Sequence, residues 1–562
     1  MNKQTAHLLE QHFDTAFSAP NGIKKLRELI LTLAMQGKLV AQDPGDAPAS
    51  QLLKEIEAEK MRLVKQGKIK APKPLPPIKP EEVPYPLPQG WEWVRLGEIG
   101  IWKSGSTPSR TNSKYYGGSI PWVKSGEVKQ GRITQTEETI TELALKECSL
   151  SLNPAGSVLV AMYGANIGEV GILDIEATTN QAICACRTYT AFDEQYLLNL
   201  IHSLKLYFIS QGAGAAQPNI SREKIVATPF PLPPLEEQHR IVAKIDQLMA
   251  CCDALENLRN EREEKRLATH AAALSQLLDT AGNGSADDAW AFITQHFGDL
   301  YAVKENVTEL RKAILQLAVM GKLVPQDPND QPASKLLKEI VAEKKRLVKE
   351  GKIKAPKPLP EIKTEEVPYA LPQGWEWVRL GEVSEINGGF AFKSSHYVED
   401  GVRVVRISDF DEQGFKNDKI VRYSYSKELK SYQLEPDNIL MAMTGGTVGK
   451  SLLVKELPEP MVVNQRVASI KINSCVVPEY INSVIQTDLI QQVIQNAKNS
   501  TNDNISMADI NSFYVPLPPQ PEQHRIVAKV DQLMGLCDTL EERITAATGV
   551  QTELLDAVMA QV

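Results

Sequence analysis

One segment of this chain occurs twice without a single change. The residues LPQGWEWVRLGE occupy positions 87–98 and again positions 371–382, so that Trp91 and Trp375 are separated by 284 residues. A run of this length with two tryptophans and two glycines does not recur by chance, and repetition at a fixed spacing is the signature of a duplicated unit. The chain is therefore predicted to contain two copies of one architecture.

Two further blocks recur on either side of this segment. The proline-rich run GKIKAPKPLP precedes it at positions 67–76 and 351–360. A block that starts with PLPP and continues with EQHRIVAK begins at Pro231 and at Pro516. The residues enclosed between these blocks differ at most positions. We infer that the flanking blocks meet the same partner twice, whereas the enclosed regions meet two different targets.

The residues before each tryptophan segment are predicted to be largely helical. Positions 1–40 have the apolar spacing of a helix that Gly37 would end, and positions 51–66 predict a second helix with Ser50 as its N-cap. The proline-rich run that follows cannot be helical and favours an extended polyproline conformation. It is either a plain spacer or a strap on which a partner docks.

The enclosed regions, at positions 91–230 and 375–515, have a residue pattern that differs from that of the helical segments before them. Short runs of β-branched and aromatic residues alternate with glycine and serine turns, and a stretch of helical periodicity lies among them. Each region is therefore predicted to be a mixed α/β domain. Short motifs that persist at matching positions, such as Asn180-Gln181 and Asn464-Gln465, indicate one fold with two different surfaces.

A long helix is predicted after each mixed domain. Apolar residues alternate at intervals of four and three from Ile241 to Leu255 and from Ile526 to Leu540, which is a heptad seam. The first helix is expected to cover about 236–278. Two such helices would pair most simply in an antiparallel way and hold the mixed domains apart. A separation of about 34–36 Å is what half-sites one turn of DNA apart require.

The predicted fold class is α+β, with two mixed α/β domains, a pair of long antiparallel coiled-coil helices between them, and a pseudo-two-fold internal duplication. Spacing alone leaves an alternative open, a coiled-coil scaffold for two unlike protein ligands. The expected segments are N-terminal helices and linker at 1–90, a first mixed domain at 91–230, a central long helix at 231–280, a repeat of the helices and linker at 281–374, a second mixed domain at 375–515, and a C-terminal long helix at 516–562.

The composition sets limits on location and on how DNA could be bound. The net charge of −8 argues against a simple basic DNA-binding domain, because phosphate contacts need lysine and arginine. Any positive potential must be local or come from partner subunits. No apolar run approaches the roughly 20 residues of a membrane span. The seven cysteines form no CxxC pair, so we expect neither a zinc site nor a disulfide framework, and the expected location is the cytoplasm.

The order LPxGWxWxxLGE, variable domain, PLPPxxEQxRIVxKxDxL resembles the specificity subunit of type I restriction–modification systems over nearly the whole chain. The resemblance implies that the mixed domains are target-recognition domains, each of which reads one half of a split, asymmetric sequence in double-stranded DNA. It implies that the flanks and helices bind two adenine-N6 methyltransferase subunits, and that restriction and translocase subunits join them. S-adenosylmethionine, ATP and Mg are then expected in the partners, with no cofactor in this chain and no membrane contact.

No motif in the chain predicts catalysis. The loop of an amino-methyltransferase needs two prolines after its Asn or Asp, and Asn153-Pro154-Ala155 has only one. The run GGTVGKS at 445–451 lacks one residue between the glycines of a nucleotide-binding loop. It is predicted to be a tight turn between strands.

The candidate DNA contacts are the side chains that suit base edges and phosphates. The loop at 104–118 carries GSTP, which resembles the Gly-x-Thr-Pro loop of the family, whereas the second domain lacks this signature. A solvated loop is the alternative reading. The candidates of the first domain are Thr107, Ser109, Arg110, Lys114, Tyr115, Trp122, Lys124, Ser125, Asn166 and Gln181. Those of the second domain are Lys393, Ser394, Arg403, Arg406, Thr447 and Gln465.

Overall fold

Two long helices follow the two mixed domains. The computed structural model describes residues 3–212, 219–279, 285–351, 353, 355, 358–498 and 504–560. The first long helix covers Leu235–Leu278 and the second Gln520–Ala560. The first therefore agrees closely with the predicted 236–278. Its 44 residues correspond to about 66 Å at the rise of an α-helix.

The chain divides into two compact units. The first contains Met1–Glu261 together with Ala547–Val562, and the second contains Arg262–Ala546. Each unit consequently includes the start of one long helix and the end of the other. The predicted fold class, with two mixed domains and an internal duplication, is confirmed.

The first unit contains the elements of the first repeat. Its helices are α1 (Lys3–Phe17), α2 (Gly22–Met35), α3 (Ala49–Lys65), α4 (Glu142–Glu147), α5 (Glu194–Ser203), α6 (Lys205–Gly212), α7 (Arg222–Ala227) and the start of α8 (Leu235–Leu278). Its strands are β1 (Glu92–Arg95), β2 (Gly100–Ser104), β3 (Tyr116–Val123), β4 (Arg132–Ile133), β5 (Glu138–Ile140), β6 (Val158–Ala161), β7 (Val170–Leu173), β8 (Thr178–Thr179), β9 (Ile183–Thr188) and β10 (Pro229–Leu232).

The second unit repeats this plan. Its helices are α9 (Ser285–Gln295), α10 (Phe297–Leu300), α11 (Lys304–Val319), α12 (Ala333–Lys349), α13 (Leu380–Val383), α14 (Pro478–Gln486), α15 (Asp488–Lys498), α16 (Met507–Asn511) and the start of α17 (Gln520–Ala560). Its strands are β11 (Glu376–Arg379), β12 (Ser384–Gly388), β13 (Tyr397–Val398), β14 (Val402–Val405), β15 (Phe410–Asp411), β16 (Gly414–Phe415), β17 (Val421–Tyr423), β18 (Asn438–Ala442), β19 (Ser451–Leu453), β20 (Met461–Val463), β21 (Val467–Ile472) and β22 (Tyr514–Leu517).

The predictions for the N-terminal helices were wrong in two details. Positions 1–40 form two helices, because Pro20 cannot continue the first. The second helix begins at Gly22, where a Cβ would lie only 2.1 Å from the carbonyl oxygen of Phe17. Ser50 is not an N-cap, since α3 begins at Ala49. The Ala49 N–H donates instead to the carbonyl oxygen of Gly90 at 2.8 Å, so a tertiary hydrogen bond fixes this helix start.

The two mixed domains share the order of their inner strands and differ at the sheet edges, where the first adds β4 and the second adds β13. In the first, a five-stranded sheet has the order β2-β9-β6-β7-β4, and a three-stranded sheet has the order β5-β3-β8. The second has β12-β21-β18-β19 and β13-β17-β14-β20. In both, a central strand pairs in parallel with a short one, β3 with β8 and β14 with β20. This confirms the prediction of one fold for two diverged sequences.

Each mixed domain begins and ends on the same strand pair. β1 runs antiparallel to β10 with Glu92 opposite Leu232, and β11 runs antiparallel to β22 with Glu376 opposite Leu517. The first and last strands of each domain are therefore neighbours, so the chain enters and leaves the domain at the same place. The flanking blocks meet there, so they keep one geometry whatever lies between them.

A buried glutamate at the start of each long helix joins three segments of its unit. Glu237 is 1% exposed, and its carboxylate accepts hydrogen bonds from Nε1 of Trp91 at 2.9 Å and Nε2 of Gln42 at 3.1 Å. Burial raises the pKa of this carboxyl group. We call these three residues, and their counterparts in the second copy, the carboxylate anchor. The counterparts have the same distances and are Glu522, Trp375 and Gln326.

The proline-rich run of the first copy is extended and lies against its own domain. The buried guanidinium of Arg95 donates to the carbonyl oxygens of Pro76 and Pro77 at 3.0 and 2.9 Å. It also pairs with both carboxylate oxygens of Glu82 at 2.9 and 2.8 Å, and these hydrogen bonds lower the pKa of Glu82 to about 2. The run is thus anchored within the unit, and docking of a partner on it stays a prediction.

The ends of the long helices pack on the short helices of each unit. In the first unit, Leu555 and Val558 of α17 contact Phe17 and Leu29. In the second, Ala273 and Leu274 of α8 belong to the core that includes Tyr301. Across the described residues, no helix is both long enough and apolar enough to cross a membrane.

One polar pair distinguishes these two packing sites. In the second unit, His270 is 1% exposed and its Nε2 lies 3.0 Å from the hydroxyl of Tyr301. The first unit has Leu555 and Phe17 in the corresponding cluster, with no polar atom in either side chain. Burial lowers the pKa of His270 from its ordinary value of 6.5. The second unit therefore has a titratable core contact where the first has an apolar one.

We predict that the double variant His270→Leu/Tyr301→Phe, which copies the first unit, makes stability less sensitive to acid. Below pH 6.5 the unfolded chain protonates His270 while the native one does not, so this group costs stability as pH falls, by at most about 1.4 kcal/mol per pH unit. Thermal unfolding of the full chain at pH 7.5 and 5.5 measures the difference. The exposed His524, changed to Gln, is the control. Equal acid sensitivity of the double variant and the native chain would contradict the prediction.

Candidate nucleic-acid interface

A loop at the same position in both mixed domains packs on the end of a short parallel strand. A Cβ on Gly105 would lie 2.2 Å from the carbonyl oxygen of Asn180, and one on Gly389 would lie 2.2 Å from that of Asn464. Both glycines thus permit a close backbone approach that no other residue allows. The loop of the second domain is therefore the counterpart of the first although it lacks the Thr-Pro signature. It ends with the exposed Lys393 and Ser394.

The arginine of the first loop is held by a carboxylate and two aromatic rings. Nη1 and Nη2 of Arg110 donate to the two carboxylate oxygens of Glu138 at 2.6 and 3.2 Å. Its Cζ lies 4.5 Å from the ring centroid of Tyr116 and 5.1 Å from that of Trp122. The side chain is still 55% exposed. Arg110 is thus fixed in orientation while it faces solvent.

The same two rings fasten the loop backbone. The hydroxyl of Tyr116 donates to the carbonyl oxygen of Pro108 at 2.6 Å, and Nε1 of Trp122 donates to that of Ser106 at 3.2 Å. Trp122 itself is 1% exposed, so the prediction that its ring contacts DNA was wrong. Its place in the strand β3 turns the large ring inward, where it supports the loop and Arg110.

The remaining candidates of the first loop are exposed or half-buried. The hydroxyl of Thr107 donates to Oε1 of Gln181, which brings two candidates from separate segments together. Ser109 forms a hydrogen bond with the hydroxyl of Thr111 at 2.8 Å, and the side chain of Lys114 is exposed. The Tyr115 hydroxyl donates to Glu147 at 2.9 Å, which raises the pKa of Tyr115.

Two basic candidates occupy equivalent positions after the central strands of the two domains. The backbone N–H of Lys124 donates to a buried carboxylate three residues on, Glu127, at 2.7 Å. The backbone N–H of Arg406 does the same to Asp409 at 3.0 Å. Ser125 follows Lys124 and is half-buried. The two domains therefore place one basic side chain each at the same site, although the surrounding sequences differ.

Both of these basic side chains are also paired with carboxylates. Nζ of Lys124 lies 2.5 Å from Glu137 and 3.3 Å from Glu138, and the bond to Glu137 raises the pKa of Lys124. Nε and Nη2 of Arg406 each donate to Asp409 at 2.8 Å, which raises the pKa of Arg406. Neither group offers a free positive charge to a phosphate in this state.

Arg403 is a structural residue, and its prediction as a DNA contact was wrong. Its side chain is 3% exposed and donates to Oδ1 of Asn417 at 3.0 Å and to the carbonyl oxygen of Lys416 at 2.7 Å. Its Cζ faces the ring of Phe415 at 5.6 Å. Arg403 therefore ties β14 to the small hairpin of β15 and β16, and its buried guanidinium is out of reach of a base edge.

The glycine-rich turns are confirmed as turns between strands. GGTVGKS joins β18 to the antiparallel β19, and no helix follows it as a nucleotide-binding loop requires. Thr447 is half-buried in this turn, as is Asn166 in the counterpart. Oδ1 of Asn180 accepts from the N–H of Ala182, and Oδ1 of Asn464 accepts from that of Arg466, both at 3.1 Å. These asparagines shape the backbone, whereas Gln181 and Gln465 are exposed.

The acidic members of the site were not predicted from the sequence. The predicted candidates were mainly cations and amides, because those groups contact DNA, and Glu137, Glu138 and Asp409 were not among them. The adjacent pair Glu137-Glu138, in an otherwise uncharged run, was the available signal. Pairing of these carboxylates with Arg110, Lys124 and Arg406 determines how much charge the surface presents.

Both halves of the chain match the family model "Type I restriction modification DNA specificity domain", at residues 88–264 and 372–547. The chain therefore belongs to the family of type I restriction enzyme specificity subunits. It is 36% identical to the EcoAI specificity subunit of Escherichia coli over 559 residues, which cover 96% of this chain and 93% of that protein. It is 33% identical to the EcoEI specificity subunit of the same species over 566 residues, with the same coverage.

Two solved structures are similar over most of the chain. One comes from work on complex assembly and conformational transition of the type I R-M system, with 20% identity, a TM-score of 0.47, and coverage of 85% of this chain and 99% of that chain. The other is the HsdS subunit from Thermoanaerobacter tengcongensis, with 20% identity, a TM-score of 0.44, and coverage of 85% and 98%.

We predict that Gly389→Ala destabilises the second unit, whereas its neighbour Gly388→Ala does not. The new methyl group of Gly389→Ala would overlap the backbone of Asn464, whereas at Gly388 no atom lies within 4 Å of a Cβ. Overpacking of this kind costs about 1–3 kcal/mol. Urea unfolding of the full chain, compared between the two variants, measures the effect. Equal midpoints would contradict the prediction. They would show that the loop can move away from Asn464 with no loss of stability.

Proposed function

We propose that this chain is the non-catalytic DNA specificity subunit of a type I restriction–modification complex. Each mixed domain acts as a target-recognition domain and reads one half of a two-part, asymmetric sequence in double-stranded DNA. The observation that carries this proposal is the family match in both halves of the chain, at residues 88–264 and 372–547. One chain with two such domains can read two unlike half-sites.

Differences between the two loops support reading of unlike sequences. The first domain has the charged and stacked Arg110 beside Tyr116 and Trp122. At the matching loop the second domain has Phe390 and Phe392, whose ring centroids are 5.0 Å apart. A guanidinium fork suits base edges, whereas aromatic groups offer apolar contact. The two surfaces thus differ in chemistry where their backbones agree.

The duplicated flanks support binding of two copies of the same partner. We propose that these are two adenine-N6 methyltransferase subunits, with restriction and translocase subunits joining to complete the complex. S-adenosylmethionine, ATP and Mg would be bound by those partners. The long helices would set the gap between the half-sites, and the complex would act in the cytoplasm, where the DNA is. The alternative, a scaffold for two unlike protein ligands, has no support from the family match.

We predict that replacing residues 91–230 by a second copy of residues 375–515 changes only one half of the target. The strand pairs β1–β10 and β11–β22 have matching geometry, so either domain should fit either frame. Co-expression with the methyltransferase partner, followed by sequencing that detects N6-methyladenine, measures the motif. The reciprocal exchange, with 91–230 in both places, is the matched control.

The expected result is a motif in which the first half is replaced by a second copy of the other half. If both halves changed, each domain would contribute to both half-sites. If the native complex placed no methyl group at any two-part motif, the proposed function itself would be wrong.

A further inference from the structure

We propose that Glu138 is a positioning residue for Arg110, and that Arg110, held in this way, reads a guanine edge in the first half of the target. This inference rests on the proposed function, because it names the specificity-determining pair of the first domain. Arg110 and Glu138 lie on different segments, the loop and the strand β5.

The orientation of Arg110 is fixed on three sides. Glu138 accepts from both terminal nitrogens, and the rings of Tyr116 and Trp122 lie within about 5 Å of Cζ. A free arginine side chain loses much of its rotamer entropy when it binds. Here that loss has occurred before DNA arrives. A pre-oriented planar fork is what bidentate contact with O6 and N7 of guanine requires.

The fork nevertheless remains accessible. The side chain of Arg110 is 55% exposed, compared with 29% for Arg406 and 3% for Arg403. Glu138 engages one side of the guanidinium, and no other acceptor for Arg110 is found among the described residues. The remaining N–H groups can therefore donate to a base while Glu138 stays in place.

The local charge favours readout of bases over attraction to phosphates. Glu138 also lies 3.3 Å from Nζ of Lys124, and Glu137 lies 2.5 Å from the same nitrogen. Two carboxylates thus balance two cations on one small surface. The bond from Arg110 lowers the pKa of Glu138, so this carboxylate stays charged at neutral pH. Because phosphate attraction depends on uncompensated cations, a balanced cluster binds unselected DNA weakly.

Among the described residues, the pair occurs in the first domain and has no counterpart at the matching position of the second. Glu138 stands opposite Trp122 in the β3–β5 ladder, and the corresponding position opposite Val404 in the second domain is Val421. The carboxylate anchor, by contrast, recurs with the same distances in both units. A contact that reads a single half-site needs to be present only once, and the Arg110–Glu138 pair meets this requirement.

We predict that Glu138→Gln lowers discrimination within the first half-site and strengthens binding to unselected DNA. The full chain is assembled with its methyltransferase partner, and binding is measured on a duplex with the methylated motif and on duplexes with single-base changes. Discrimination at one guanine should fall about tenfold or more, because that contact would no longer be made with both N–H groups in place. The salt dependence should steepen by about one phosphate contact, because one cation is released.

The matched control is Asp174→Asn in the same domain. Asp174 pairs with Arg132 at 2.5 Å, and Arg132 is 58% exposed, so the change in charge and exposure is similar. Arg132 stacks on no ring among the described residues. This variant should leave discrimination in both halves unchanged. Arg110→Lys should lose discrimination at the same guanine, because an ammonium group cannot make the bidentate contact.

Three results would overturn the inference. The first is equal behaviour of Glu138→Gln and Asp174→Asn, and the second is a first half-site without guanine. The third is an unchanged first half after Arg110→Ala in a variant whose thermal unfolding matches that of the native chain. In each case the native complex would still methylate a two-part motif. Absence of that motif with the native chain would instead remove the proposed function, and the inference with it.

Discussion

A carboxylate buried at the start of each long helix constrains where the flanking segments can lie. Glu237 and Glu522 are each 1% exposed, and a charge at that depth is costly unless its oxygens are hydrogen-bonded. The donors come from segments that are distant in sequence, an indole at the first residues of the mixed domain and an amide after α2. The three segments must therefore meet at one point. This requirement explains why the repeat retains LPQGWEW and EQHR without change.

With the frame fixed in this way, the domain inside it is free to diverge. β1 pairs with β10, so the chain returns to its starting point whatever it has formed in between. Arg95 also joins the two ends of the first domain. It donates hydrogen bonds to the proline-rich run before the domain and to the carbonyl oxygen of Ala227 near its end. Loops such as 105–110 lie away from these contacts. Their side chains can therefore change with the target while the joints to the long helices stay the same.

The sequence was sufficient to predict the elements whose structure is determined by local periodicity. The heptad seam predicted α8 to within a residue, and the alternation of β-branched runs predicted the mixed domains. It was insufficient to predict which side chains are buried by contact with a segment that is distant in the chain. Arg403 resembled a surface arginine, but the hairpin at 410–415 brings Phe415 and the Lys416 carbonyl to it. Trp122 likewise lies beneath a loop whose path depends on Gly105. The alternation of residues within β14 or β3 does not indicate which distant segment will cover Arg403 or lie over Trp122.

Three of the basic candidate contacts are paired with carboxylates, in keeping with the net charge of −8 for the chain. Arg110, Lys124 and Arg406 each face a carboxylate within 3 Å. Such a surface gains little from the polyanionic backbone, which supplies most of the non-specific affinity for DNA. Discrimination between bases depends instead on the geometry of a few donors. Where cations are paired in this way, selectivity has to come from the geometry of the donors, because an unpaired lysine would add binding to unselected sequences.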